Sequence, residues 1–333
     1  MSEKDDNPMV ALIAEYDAAL ADKPCLAEIY DENWRRKIRP QLLGSGSGCC
    51  LGNAFGYQAP WLERSGLVRK GWQAKLEEGA GVLLPRLSKQ ERGHLVKRMR
   101  DTESTSAEEE ILLAGGFSRE FGAEAIELPE GSCDQPRAEF EVNADGARII
   151  IEAKGRLVSQ SVEQEREQNR AIERQLGIKI PDPPPLDDKV DRWIENKFFK
   201  TLRSKSKTDC GMILVMSLYT LPGNFLALID QVRGLAACPG NPACLQTKRD
   251  DLHLAEEHRP LAIALVSGGS IQGVWFNLLV RDRLGIDTTT EERIRVAIKE
   301  SFFPREDGVF FHEGLSDEDH AIMIHKMPAF SAQ

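Results

Sequence analysis

Apolar residues recur at helical spacing through much of the first hundred positions. "MVALIAEYDAALA" has this period, and the stretch from Trp61 to Thr102 alternates amphipathic runs with Gly and Pro breaks. Both predict helices. Between them, "QLLGSGSGCCLGNAFG" is glycine-rich. It lacks the Gly-Lys-Ser/Thr ending of a phosphate-cradling loop and no apolar strand leads into it, so the pattern predicts a flexible connection.

From Ser104 the pattern changes. "STSAEEEILLAGGFSREFG" opens on capping-type residues, carries Leu113, Phe117 and Phe121 at helical spacing, and meets a stop at Gly122. "AEAIELPE" reads as a short strand. "RAEFEVNADGARIIIEAKG" reads as two strands joined by a turn at Ala144, Asp145 and Gly146, because Asp-Gly between alternating apolar runs is a hairpin signal. "LVSQSVEQEREQNRAIERQLGI" predicts a charged, solvated helix, which the proline run "IPDPPPLDD" ends. A second, amphipathic helix follows in "DDKVDRWIENKFFKTLRSKSK", and then "GMILVMSLY", nearly all apolar, as in a strand buried on both faces. Strands are expected at "PLAIALVSG" and "SIQGVWFNLLV", a helix at "TTEERIRVAIKESFF", and short edge strands at "GVFFHEG" and "DHAIMIHKM". Helix, three strands, helix, strand predicts an α/β fold with a three-layer core and a mixed sheet. The division expected is a helical N-terminal region, 1–103, and an α/β core, 104–333, with a charged helical insertion at 157–187 and a C-terminal elaboration.

Composition narrows the class. The 333 residues are 41% hydrophobic and 29% charged, which suits an ordered globular chain. No apolar run approaches the ~20 residues of a membrane helix, and the opening "MSEKDDNPMV" is acidic rather than signal-like. A cytoplasmic protein with no membrane partner is expected. Seven cysteines, an odd number, read as reduced thiols. The net charge of -10 argues against a general basic coat for nucleic acid, yet leaves room for a local basic groove and for a carboxylate metal site.

The chemistry begins with "ARIIIEAKG". Side chains alternate along a strand, so Glu152 and Lys154 share one face and Ala153 takes the other. Opposite charges side by side at the end of an apolar strand make either a salt bridge or part of a catalytic site. A helix bearing a glutamate, a strand with an acidic residue, a turn, and a strand ending in Glu-x-Lys together resemble the PD-(D/E)XK nuclease superfamily, the restriction-endonuclease-like fold. The resemblance spans Ser104 to Tyr219.

Position by position, the resemblance makes Glu152-Ala153-Lys154 the Glu-x-Lys element. It makes Glu139, ahead of Phe140, the first acidic residue, where the family usually has aspartate. Glu141, on the same strand face as Glu139, and Asp134 upstream are the alternatives for that place. Glu110 matches the family's helix glutamate, with Leu113, Ala114 and Phe117 following on its helical face. The implied cofactor is Mg²⁺ or Mn²⁺, held by Glu139, Glu152 and the backbone carbonyl near Ala153, since one or two carboxylates suffice for an ion that keeps several waters. Lys154 would orient the attacking water or stabilise developing negative charge, and Glu110 would support the site. Lys197 and Lys200 would meet the phosphate backbone, positioning without specifying sequence.

The implied function is metal-dependent phosphodiester hydrolysis of nucleic acid, DNA foremost. The alternative is a catalytically inactive nuclease-like fold that serves as a nucleic-acid-binding or protein-interaction module, and the charged helix is a candidate homodimer element. Other readings carry less. Glu108 and Glu109 read as helix N-terminal charges favoured by the macrodipole. Cys238 and Cys244 with His253 and His258 offer zinc-type ligands, but the five residues between the cysteines exceed the usual spacing, and a loop with thiols is expected instead. His312, His320 and His325 show no helix-spaced pair for a metalloprotease, and no Gly-x-Ser-x-Gly elbow occurs.

Overall fold

The computed structural model describes residues 18, 20–34, 71–100, 104–128, 140–156, 209–218, 260–267, 270–303 and 311–312. The helices are α1 (Pro24–Ile29), α2 (Trp72–Leu83), α3 (Lys89–Arg100), α4 (Ser104–Phe121), α5 (Leu278–Arg283) and α6 (Thr288–Ser301). The strands are β1 (Ile126–Glu127), β2 (Phe140–Ala144), β3 (Ala147–Arg156), β4 (Gly211–Leu218), β5 (Ala262–Ser267), β6 (Ser270–Phe276) and β7 (Phe311–His312). Among the described residues these form one seven-stranded sheet whose spatial order follows the chain. β1, β2 and β3 pair antiparallel; β3, β4 and β5 run parallel; β6 returns antiparallel and β7 pairs parallel with it. The fold is therefore α/β with a mixed sheet.

Local chemistry accounts for the hairpin that leads into β3. Asp145 (φ 52°) and Gly146 (φ 94°) both take positive φ, as a two-residue turn matched to strand twist requires. The Gly146 N–H donates to Asn143 Oδ1 at 2.9 Å. The Asp145 carboxylate also accepts from Arg293 at 2.6 and 2.7 Å and from Thr290 Oγ1 at 3.1 Å, which ties the hairpin tip to α6. Gly122, with φ 89°, ends α4 as its sequence position predicts.

The stretch "SIQGVWFNLLV" is not strand throughout. β6 stops at Phe276, and Asn277 caps α5 by accepting from the N–H groups of Leu279 (3.1 Å) and Val280 (3.2 Å). An apolar run carries no period that separates strand from helix, and the cap decides. Likewise, among the described residues the strand in "AEAIELPE" is β1, after a 3₁₀ turn over Ala123–Ala125.

α4 is the centre of the packing. Every residue from Ala107 to Phe117 is buried, consistent with the unbroken apolar run "ILLAGGF"; a helix apolar all round belongs inside. It packs against α2, α6 and the sheet, where Phe117 meets Phe140 edge-on with ring centroids 6.4 Å apart. Phe140, Val142, Ile149, Ile151, Ala153, Ile213 and Val215 join this cluster. The alternate positions Ile150, Met212, Leu214 and Met216 are buried as well, as the composition of "GMILVMSLY" predicts.

The helices before α4 share that core. α1 has no cap of its own; Glu77 of α2 supplies one, accepting from the N–H groups of Cys25 (2.9 Å) and Leu26 (2.8 Å). Burial, and then the Glu77 charge, push the Cys25 thiol up to about 11. At pH 8 only about 0.1% is thiolate, so alkylation of Cys25 by a maleimide is expected to run ~100-fold slower than that of a free cysteine. Peptide-mapped mass spectrometry of the rate checks this, and a rate equal to that of a free thiol would contradict it. Among the described residues no helix is long and apolar enough to cross a membrane.

Candidate active site

β3 carries its charges within the parallel part of the sheet, Glu152 four and Lys154 two residues before β3, β4 and β5 end together at Arg156, Leu218 and Ser267. The register pairs Glu152 with Leu214 and Lys154 with Met216. Ile149, Ile151 and Ala153 belong to the cluster under α4, so Ile150, Glu152 and Lys154 alternate to the other face. Glu152 has 0% of its side chain exposed and Lys154 25%, and the Lys154 ammonium ion-pairs with Glu152 Oε1. A buried carboxylate requires such a partner, because desolvating an isolated charge costs several kcal/mol. The strand thus holds a buried acid and, two residues nearer its carboxyl end, a partly exposed cation. In open α/β sheets this carboxyl end of parallel strands is where ligands bind.

The other candidates divide. Glu110 is buried and pairs with Arg98 of α3 at 2.8 Å. Glu141 is buried and pairs with Arg148 across the hairpin, a contact that raises the Arg148 pKa further above its ordinary value, by hydrogen bond first and by charge second. Its carboxylate is therefore already engaged. Glu139, Asp134, Lys197, Lys200, the segment 157–187, and Cys238, Cys244, His253 and His258 lie outside the described residues. Phe140, which follows Glu139 in the chain, pairs with Ile151, which precedes Glu152.

Glu108 and Glu109, read from the sequence as helix N-terminal charges, are enclosed. They stand in the second turn of α4, at 4% and 5% exposure, beside Glu110 at 6%. Three consecutive residues span about 200° of a helix, so in a helix buried all round they go inside whichever way it is turned. The signal was the apolar run after them, which leaves α4 no polar face.

For a divalent ion the donor set fits in kind. Mg²⁺ takes oxygen, and Glu152 with the Ala153 carbonyl supplies oxygen within β3. Among the described residues no group of three or more His, Cys, Asp or Glu side chains converges for a metal. The chain matches no family model, no curated protein and no solved structure.

Proposed function

We propose that the protein is a metal-dependent nuclease of the restriction-endonuclease-like kind, acting on nucleic acid and on DNA foremost. The observation that carries this reading is the Glu152–Lys154 pair, a wholly buried carboxylate held by a partly exposed lysine in the carboxyl half of β3. Its setting supports it: a glutamate-bearing helix, an antiparallel hairpin, then a strand parallel to β3. In this reading Glu152, the Ala153 carbonyl and Glu139 hold Mg²⁺ or Mn²⁺. The ion would lower the pKa of bound water and offset charge on the phosphoryl oxygens. Lys154 has the reach and exposure to meet a phosphate oxygen or the attacking water, and its charge stabilises the negative charge that develops there. Glu110 of α4 pairs with Arg98, and α4 packs against the opposite, Ala153 face of β3, so this reading gives Glu110 no part in holding the metal.

The test incubates the purified chain with single- and double-stranded DNA and RNA, with Mg²⁺, with Mn²⁺ and with chelator, beside Lys154→Ala. Cleavage that needs the metal and falls at least ~100-fold in the variant is expected. Absence of cleavage on every substrate would leave the inactive, binding-module alternative.

A further inference from the structure

The arginines and lysines of α3 have different tasks. Between Lys89 and Arg100 the helix carries five Lys or Arg and a single acid, Glu91, in a chain of net charge -10. Its inner face is apolar, with Leu95 and Met99 buried. The arginines turn back into the protein. Arg92 donates to the Leu84 carbonyl at 2.7 Å and to Glu28 at 3.1 Å. Arg98 pairs with Glu110 at 2.8 Å, and Arg100 donates to Asp31 at 2.7 Å and to the Ile29 carbonyl at 2.5 Å. Lys89, Gln90, Gly93, His94 and Lys97 are all exposed and share the outer face. Among the described residues neither lysine takes an acidic partner.

Helix stability does not account for this face. Lys97 near the C-terminus suits the macrodipole, but Lys89 is the first residue of α3, where positive charge is unfavourable. Gly93 is unfavourable in mid-helix, and a Cβ there would meet nothing within 4 Å, so packing does not call for it. Two residues on one exposed face thus work against the helix that carries them, a local conflict expected where function decides. The face has no exposed aromatic or aliphatic side chain to anchor a protein partner. A polyanion needs none, since phosphate contacts draw on charge alone.

We propose that the outer face of α3 docks the phosphate backbone of the nucleic acid, with Lys89 and Lys97 as the cations and Gly93 admitting close approach between them. Eight residues of helix separate the lysines, about 12 Å of axis, enough to address more than one phosphate of a strand. The assignment of the polyanion as nucleic acid rests on the proposed nuclease function. Arg98, next to Lys97, links this face to Glu110.

The experiment measures binding apart from catalysis. Fluorescence anisotropy of labelled DNA and RNA oligonucleotides, single- and double-stranded, is recorded in chelator at increasing salt. The full chain is compared with Lys89→Ala/Lys97→Ala and with Lys89→Arg/Lys97→Arg. The alanine pair is expected to weaken binding at least ~10-fold on all sequences and to reduce the log–log salt slope by about two; the arginine pair retains both. The thermal midpoint does not fall, because both side chains are exposed and Lys89 does not favour the helix. Wild-type affinity and slope in the alanine pair would overturn the proposal, as would absence of binding by wild type. Displacement by polyglutamate at the charge concentration at which DNA displaces would also overturn it, making the partner an acidic protein. Cleavage with Mg²⁺ is scored separately: wild type that cleaves without dependence on α3 keeps the nuclease reading and sinks this one, and α3-dependent binding without cleavage does the reverse.

Discussion

Gly79→Ala is expected to lower the thermal midpoint by roughly 4 °C, while Gly81→Ala, two residues along the same helix, raises it by about 1 °C. The difference is a matter of space. A Cβ on Gly79 would overlap the backbone carbonyl oxygen of Ile111 and lie 2.7 Å from its carbon, where α2 crosses α4. Gly115 stands opposite, its own added Cβ 3.3 Å from Gly79 Cα. Backbone cannot change rotamer, so the two helices would have to part, disturbing the packing around Leu76, Ala80 and Ile111. Overpacking of this kind costs about 3 kcal/mol, the upper end of its usual range. At Gly81 a Cβ meets only Cys25 Sγ at 3.9 Å, an ordinary contact, and alanine's helix propensity gains about 1 kcal/mol. Calorimetry or urea titration of the two variants decides. Equal shifts would mean that α2 and α4 do not cross at Gly79. Gly116→Ala is a second member of the destabilising class, since its Cβ would overlap Ser301 Oγ and the Ala297 carbonyl of α6.

These contacts show what the sequence could and could not convey. The hairpin was legible because its turn chemistry is local: Asp145 and Gly146 sit between runs of period two. The shared face of Glu152 and Lys154 was legible for the same reason. Leu113, Phe117 and Phe121 announced the helix, yet Glu108 and Glu109 read as charges at its N-terminus. Only the helices and strands around α4 show that they are enclosed. The Gly115–Gly116 pair reads as a weak spot in a helix until α2 and α6 supply the neighbours that require it. Arg98 with Glu110, and Arg293 with Asp145, join residues far apart or on different elements, and no periodicity encodes such a partner. At "NLLV" the sequence was ambiguous in principle, and one side-chain cap settled it.

The ion pair on β3 supports a further expectation that reads the metal without reading catalysis. Replacing Lys154 by alanine removes the cation from a carboxylate with no exposure of its own. The expected cost is about 3 kcal/mol, at the lower end for a buried pair because Lys154 is partly solvated. Glu152→Gln/Lys154→Met, which removes both charges, should recover most of it. If the pair is structural, divalent cations change none of these stabilities. If Glu152 is a metal ligand, Mg²⁺ or Mn²⁺ at about a hundred times its dissociation constant stabilises the wild type by about 2.7 kcal/mol through mass action. The gain in Lys154→Ala should be larger still, because the ion restores positive charge beside Glu152. Glu152→Gln should show no gain, since an amide is a far poorer ligand for a hard cation. Thermal midpoints with and without Mn²⁺, Mg²⁺ or chelator, measured on the four proteins, separate the two cases. A midpoint in wild type and in Lys154→Ala that ignores every divalent ion would reduce Glu152 and Lys154 to a buried ion pair and remove the ground for the nuclease reading.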